Sequence, residues 1–246
     1  MVKRMRLPES KNLSLYWEKY SFLLFESSDS KDKEKEIVGK IFQTVEKLQS
    51  DFGKISNILK ERREQLIRKR KPFINLKMKV KGKLLLGAGN PSPIEVGITL
   101  SRNYGLPIIP GTAIKGTFAS FLFEFERDKY ESLAHIFGDT EREGDLIFLD
   151  AIPVSDLKFS LDIVNPHFQP YYMKEKLPPN DWYNPVPKKY LVVSSGVFWF
   201  TVLESRSGVI GNSEKELIKQ RFVEMLRTYG VGAKTSYGYG RFKDLT

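Results

Sequence analysis

Cysteine is absent from the 246 residues, and histidine occurs only at His135 and His167. Without thiols the chain has no disulfides and no thiolate metal site, and a histidine-based zinc centre would need carboxylates to complete it. No metal and no cofactor are expected. Nowhere do 18 apolar residues run together, and the N-terminus lacks the apolar stretch and small-residue cleavage site of a signal peptide. These absences predict a cytoplasmic protein with no membrane partner. Aspartate is missing from Leu84–Lys115, where Glu95 is the only acid.

What is abundant is positive charge: 40 Lys and Arg against 30 Asp and Glu, a net +10. Residues 1–80 hold 20 of those cations against 11 acids, whereas residues 81–246 hold 20 against 19. An anionic partner, nucleic acid or a membrane surface, suits such a balance. Hydrophobic residues make up 41% of the chain, enough for one large domain or two small ones.

The stretch Gly230-Val231-Gly232-Ala233-Lys234-Thr235-Ser236-Tyr237-Gly238-Tyr239-Gly240-Arg241 is the most informative segment. Its glycines permit close backbone approach. Successive N–H groups of such a loop can form a concave anion site, Lys234 and Arg241 add charge, and Tyr237 and Tyr239 offer faces on which unpaired bases stack. A nucleotide-triphosphate loop is a poor match, because Ala233 precedes the lysine and the order of helix and strand is inverted. Gly111–Thr117 fails on spacing as well. A plain helix-to-strand turn stays open as the competing explanation.

Along the chain, Ile37, Ile41, Val45, Leu48, Phe52, Ile55 and Leu59 recur every three or four residues, predicting a long amphipathic helix, or a broken pair, over Lys31–Lys71. From Phe73 the period becomes two: Ile74, Leu76, Met78 and Val80 alternate with Asn75, Lys77, Lys79 and Lys81, as in a strand with one lysine-bearing face. Leu84–Leu86 extends it. A second helix is predicted after Pro110, capped by Thr112, and a strand over Leu146–Val154. A proline- and aromatic-rich insert follows over 156–189, then Tyr190–Ser194 and a strand Gly196–Glu204. A last helix opens on a Ser213/Glu216 capping box and stops at Gly230. After residue 72 the order is βαββαβ, so the predicted fold class is α+β: a ferredoxin-like or RRM-like antiparallel sheet with helices on one face and the other open to single-stranded RNA. Residues 1–71 form an N-terminal helical extension and residues 72–246 the RNA-binding domain.

Leu106-Pro107-Ile108-Ile109-Pro110-Gly111-Thr112-Ala113-Ile114-Lys115-Gly116, together with the glycine-rich loop, resembles the RAMP superfamily of CRISPR RNA-processing and effector subunits, over roughly residues 72–245. Within it, His135–Asp139 and Asp162–Phe168 are most similar to the sixth-subunit group of type III-B (Cmr) effectors. The resemblance implies a non-catalytic subunit near the 3′ end of a guide RNA, with guide and target RNA, backbone RAMP subunits, a small helical subunit and a second RAMP subunit as partners. It implies that Lys115 and Gly116 approach RNA phosphates, and that Gly230, Gly232, Lys234, Thr235, Gly238 and Gly240 form the family's loop. Backbone subunits of the family cut target RNA with an aspartate between the first strand and first helix, which this chain lacks.

Other groups are weaker signals. His135 is expected to be structural. His167, beside Asn165, would contact RNA or pack on Tyr171 and Tyr172; as a general base it would imply a repeat-cleaving endonuclease. Asp139, Glu141, Glu143 and Asp145 are expected to form a solvated turn rather than a metal site.

Overall fold

The computed structural model describes residues 9–28, 32–92, 96–165, 171, 178–179, 184–185, 187–206 and 208–245. Glu95 and His167 lie outside the described residues.

Two short helices, α1 (Leu13–Leu15) and α2 (Ser21–Ser27), joined by a π-helical turn, lead into α3 (Lys33–Lys69). The long helix predicted from periodicity is therefore continuous. The Asp32 carboxylate accepts the Lys35 N–H at its start, Glu34 and Glu36 occupy the first turn, and Arg68 and Lys69 the last, so both dipole ends are matched. Ile37, Ile41, Val45, Leu48, Phe52 and Leu59 are buried. Each such side chain stabilises the fold by about 1.5–3 kcal/mol, which outweighs roughly 1 kcal/mol lost at each of Gly39 and Gly53.

Five strands, β1 (Ile74–Lys81), β2 (Leu146–Phe148), β3 (Ile152–Val164), β4 (Lys188–Glu204) and β5 (Arg241–Lys243), build one antiparallel sheet in the order β2-β4-β1-β5, with β3 also paired to β4. Four sequence expectations need correction here. Leu146–Val154 is two strands, because the chain leaves β4 after Phe148 and Ala151 pairs with Ile109 instead. The residues assigned to an insert from Asp156 continue β3 to Val164, while Lys188 and Lys189 at its other end belong to β4. Tyr190–Ser194 and Gly196–Glu204 are one strand. Leu84–Leu86 does not prolong β1, since Gly82 at φ +82° turns the chain away and only Leu84 rejoins the sheet, opposite Val193.

Helices α4 (Gly111–Phe125), α5 (Arg127–Leu133) and α6 (Asn212–Glu224) are the remaining α-helices of the described residues. Thr112 is not the N-cap of α4: the helix begins at Gly111, whose N–H donates to the Asp150 carboxylate (2.8 Å) delivered by the break between β2 and β3. For α6 the Ser213/Glu216 box is replaced by a one-sided cap two residues earlier, in which the Glu214 carboxylate accepts the N–H of the N-cap Gly211 (2.9 Å). One sheet face packs Phe198, Phe200 and Phe242 against Phe222 of α6, which meets Phe118 of α4 at 5.3 Å between ring centres. The other face is not open throughout. Trp199 and Thr201 are buried there, and α3 lies across β3 and β4, with Phe52 5.4 Å from Phe159 and Gln49 donating to the Leu157 carbonyl. The apolar stripe of α3 needs a partner, and that part of the sheet supplies one. A single hydrophobic cluster runs from Leu13 through α3 to the sheet.

Candidate nucleic-acid interface

The segment from Gly230 to Arg241 has a packed root and a projecting tip. Gly230, at φ +83°, stops the π-helical turn Met225–Tyr229 that continues α6, its N–H bonding to the Met225 carbonyl. Val231 is buried and pairs with the Gly240 carbonyl (2.9 Å), Ala233 donates to Leu85 O (2.8 Å), and Gly240 donates to Lys83 O (2.8 Å). A Cβ on Gly232 would stand 2.5 Å from Leu85 O and one on Gly240 2.0 Å from Val231 O. Backbone packing against backbone therefore accounts for the root glycines, in line with the plain-turn explanation.

The tip differs. Lys234 is left-handed (φ +60°), Thr235–Tyr237 form one 3-10 turn, and Gly238 is left-handed again (φ +84°), where an added Cβ would meet nothing within 4 Å. Tyr237 is 82% exposed. The N–H groups of Tyr237, Gly238 and Tyr239 already bond to the Lys234 and Thr235 carbonyls. These three donors are committed to the turn.

Two of the expected ligand residues turn inward. Lys234 Nζ donates to the Tyr190 hydroxyl (2.8 Å) and sits 4.4 Å above that ring, while the Tyr239 hydroxyl donates to the Asp162 carboxylate. Lys83 Nζ completes the cluster 2.8 Å from Asp162, and the hydroxyls of Tyr190 and Tyr239 are 3.4 Å apart. Burial raises the Asp162 pKa, but hydrogen bonds from Lys83, Tyr239 and the Ile163 N–H outweigh it, and the carboxyl lies below its usual range. Burial, then the Asp162 and Tyr190 hydrogen bonds, push the Tyr239 phenol upward. This cluster clamps the loop to the β3–β4 hairpin. The Tyr239 hydroxyl is thereby engaged and its ring half-buried, whereas Tyr237 is the exposed ring of the loop. Sequence reasoning gave Asp162, Tyr190 and Lys83 no role, since they stand about 40 to 160 positions from the loop and no local spacing links them.

Lys115 and Gly116 lie exposed on α4, and a Cβ at Gly116 would touch nothing within 4 Å. No hydrogen bond or ion pair among the described residues joins them to the loop. Thr235 is half-exposed, and Arg241 lies on β5 opposite Lys81, its Nε buried without a hydrogen-bond partner. His135 is held at Nδ1 by Asp145 (2.8 Å), which is 2% exposed and also bound by Arg142 (2.9 Å), with Glu214 3.8 Å from Nε2. That arrangement ties the end of α5 to β2 and to α6, as a structural histidine would. Asp139 accepts the N–H groups of Glu141 and Arg142, which lower its pKa and make the acidic stretch a turn. Among the described residues no three metal-ligating side chains gather, and no helix is long and apolar enough to cross a membrane.

The sequence family described as the RAMP superfamily matches residues 77–243. The chain is 32% identical to the CRISPR system Cmr subunit Cmr6 of Pyrococcus furiosus, over 67% of this chain and 66% of that protein. It is 26% identical to the CRISPR system CMR subunit Cmr6 of Saccharolobus solfataricus, over 85% of this chain and 68% of that one. It thus spans about two thirds of the length of these relatives. A chain in the cryo-EM structure of the type III-B Cmr-beta bound to cognate target RNA superimposes with a TM-score of 0.65 at 23% identity, covering 91% of this chain and 80% of that one. That likeness is one of fold, helices with an antiparallel sheet.

Proposed function

This chain belongs to the RAMP superfamily, and on that premise we propose that it is a non-catalytic, RNA-binding and assembly subunit of a type III-B CRISPR (Cmr) effector ribonucleoprotein, acting in defence against foreign RNA. In this reading it binds guide RNA near the 3′ end, with target RNA, backbone RAMP subunits, a small helical subunit and a second RAMP subunit as its other partners. The observation that carries the proposal is the division of the glycine-rich loop. Its root and clamp fix the conformation, and its tip holds the Tyr237 ring out in solvent with open space beside Gly238. Pre-organised display of an exposed ring suits stacking on an unpaired base. Lys115 and Gly116 would approach phosphates from α4.

The ferredoxin-like reading of residues 72–246, with 1–71 as a helical extension, is supported by the strand order β2-β4-β1-β5 and by α4 and α6 sharing one face. The engagement of His135 with Asp145 and Glu214 suits a structural role for that histidine. Purified protein should bind single-stranded RNA with strong salt dependence and weak sequence preference, and should cut neither repeat nor target RNA with or without divalent metal. Binding that ignores salt would overturn the RNA reading. Cleavage abolished by His135→Ala or His167→Ala would replace it with the endonuclease, and loss of target cutting by an assembled Glu95→Ala complex would favour a slicing subunit.

A further inference from the structure

Strands β1 and β5 face each other with like charges. Lys79 is directly opposite Lys243 and Lys81 directly opposite Arg241, while the intervening Val80 and Phe242 point into the core. Lys77 continues the row on the same side. Like charges directly across a strand pair are destabilising. Their side chains lie on the sheet face opposite Val80 and Phe242, and the Lys81–Arg241 and Lys79–Lys243 juxtapositions do not stabilise the pairing. Among the described residues Asp156, 3.6 Å from Lys79, is the one carboxylate paired with the row. Among the described residues Lys77, Lys81, Arg241 and Lys243 have no ion pair; Lys77 instead lies over the Trp199 ring at 4.4 Å.

The row is also continuous with the loop. At its end Gly82 turns the chain so that a Cβ there would be 3.9 Å from the Gly238 carbonyl, and Lys83 O receives the Gly240 N–H. Alternate residues along a strand repeat at roughly 6.6 Å, a spacing comparable to that of successive phosphates in an extended single strand. Tyr237 stands next to Gly238 at the far end.

We propose that Lys77, Lys79, Lys81, Arg241 and Lys243 form a phosphate track on the outer face of β1 and β5, along which a single-stranded RNA runs after its base leaves Tyr237. The proposal rests on the RNA-binding reading of the loop and extends it to a surface outside the loop. The track reads no sequence, since it presents charge and no base-edge constellation. Regular spacing and continuity with an exposed aromatic ring favour a polynucleotide over an acidic protein surface.

The test compares the full-length protein with Lys81→Glu, Lys243→Glu and the triple variant Lys77→Ala/Lys81→Glu/Lys243→Glu, using fluorescently labelled single-stranded RNA of mixed sequence across a salt series. The triple variant should bind at least tenfold more weakly at low salt, and the slope of log affinity against log salt should fall by about 2, as expected for three lost phosphate contacts at roughly 0.7 each. The Lys81→Glu protein should melt at a higher temperature than the parent, because it now faces Arg241 with opposite charge, so weaker binding cannot be ascribed to misfolding. Unchanged affinity and slope in the triple variant, alongside weaker binding by Tyr237→Ala, would overturn the track while leaving the loop reading intact. No RNA binding by the parent would overturn both. Unchanged RNA binding with loss of incorporation into the reconstituted effector would assign the row to an acidic protein neighbour and overturn the proposal.

Discussion

At the root of the glycine-rich loop a side chain on Gly232 or Gly240 would collide with a carbonyl oxygen, whereas at the tip a side chain on Gly238 would enter open space. The same residue type thus serves two purposes within nine positions. At the root glycine is required by the chain's own packing, and its loss would damage the fold. At the tip only the positive φ asks for it, so a residue that tolerates that conformation leaves the fold intact and exposes any external role. The two ends are separable by experiment because the clamp lies between them.

The largest effect should come from breaking the root. Gly240→Ala places a Cβ 2.0 Å from Val231 O and forces an L-residue into φ +69°. It should lower stability by about 2–4 kcal/mol, measured by urea unfolding, with RNA binding lost only to the extent that the protein unfolds. Stability within error of the parent would mean that the root is not packed as described.

Releasing the clamp should have a smaller effect. Asp162→Asn weakens the charge-assisted bonds from Lys83 and Tyr239 and should cost about 1–3 kcal/mol at neutral pH. The direction of the pH dependence follows from the lowered Asp162 pKa. Its contribution is present above the unfolded carboxyl value of about 3.9 and is lost as pH falls through the lower folded value. Tyr239 works in the opposite sense. Its raised pKa stabilises the fold fully below the unfolded value of about 10, and that contribution disappears as pH climbs beyond it. An acid-unfolding curve for Asp162→Asn as steep as the parent's below pH 4 would argue against the clamp.

Substitutions at the tip should reverse the pattern of those at the root. Tyr237→Ala and Gly238→Asn should each change stability by less than about 0.5 kcal/mol, Asn being a residue that tolerates the left-handed conformation. Tyr237→Ala should nevertheless weaken RNA binding by about 1–3 kcal/mol, the usual worth of one stacked base. Tip variants that bind RNA as the parent does would reduce the whole loop to a turn.

What the sequence made legible follows the same line between local and distant interactions. The stripe Ile37–Leu59, the alternation Ile74–Val80 and the glycines after Tyr229 are written in neighbouring residues, and periodicity or turn chemistry reads them directly. The inward turn of Lys234 and Tyr239 was not readable, because their partners Tyr190 and Asp162 arrive on a hairpin whose pairing depends on register shifts near Ser155 and Lys158. The cap of α4 was missed for the same reason: Asp150 comes from a break between two strands and not from the residues before the helix. Burial of the second sheet face was not expected because the apolar stripe of α3 names no partner. Cross-strand repulsion between Lys81 and Arg241 becomes visible only once β1 and β5 are aligned.

The smallest predicted effect extends the comparison of glycines to the helices. Gly53 in α3 and Gly116 in α4 are both exposed, and neither would bring a Cβ within 4 Å of anything. Alanine at either position should therefore raise stability by up to about 1 kcal/mol through helix propensity alone. If Gly116 is bare because RNA approaches α4 beside Lys115, the added methyl should weaken RNA binding or recovery of the assembled complex even as the protein becomes more stable. Gly53→Ala should gain the same stability with no change in either readout. A Gly116→Ala protein that is more stable and binds and assembles like the parent would remove Gly116 from the interface and leave the loop tip and the lysine row as the remaining candidates.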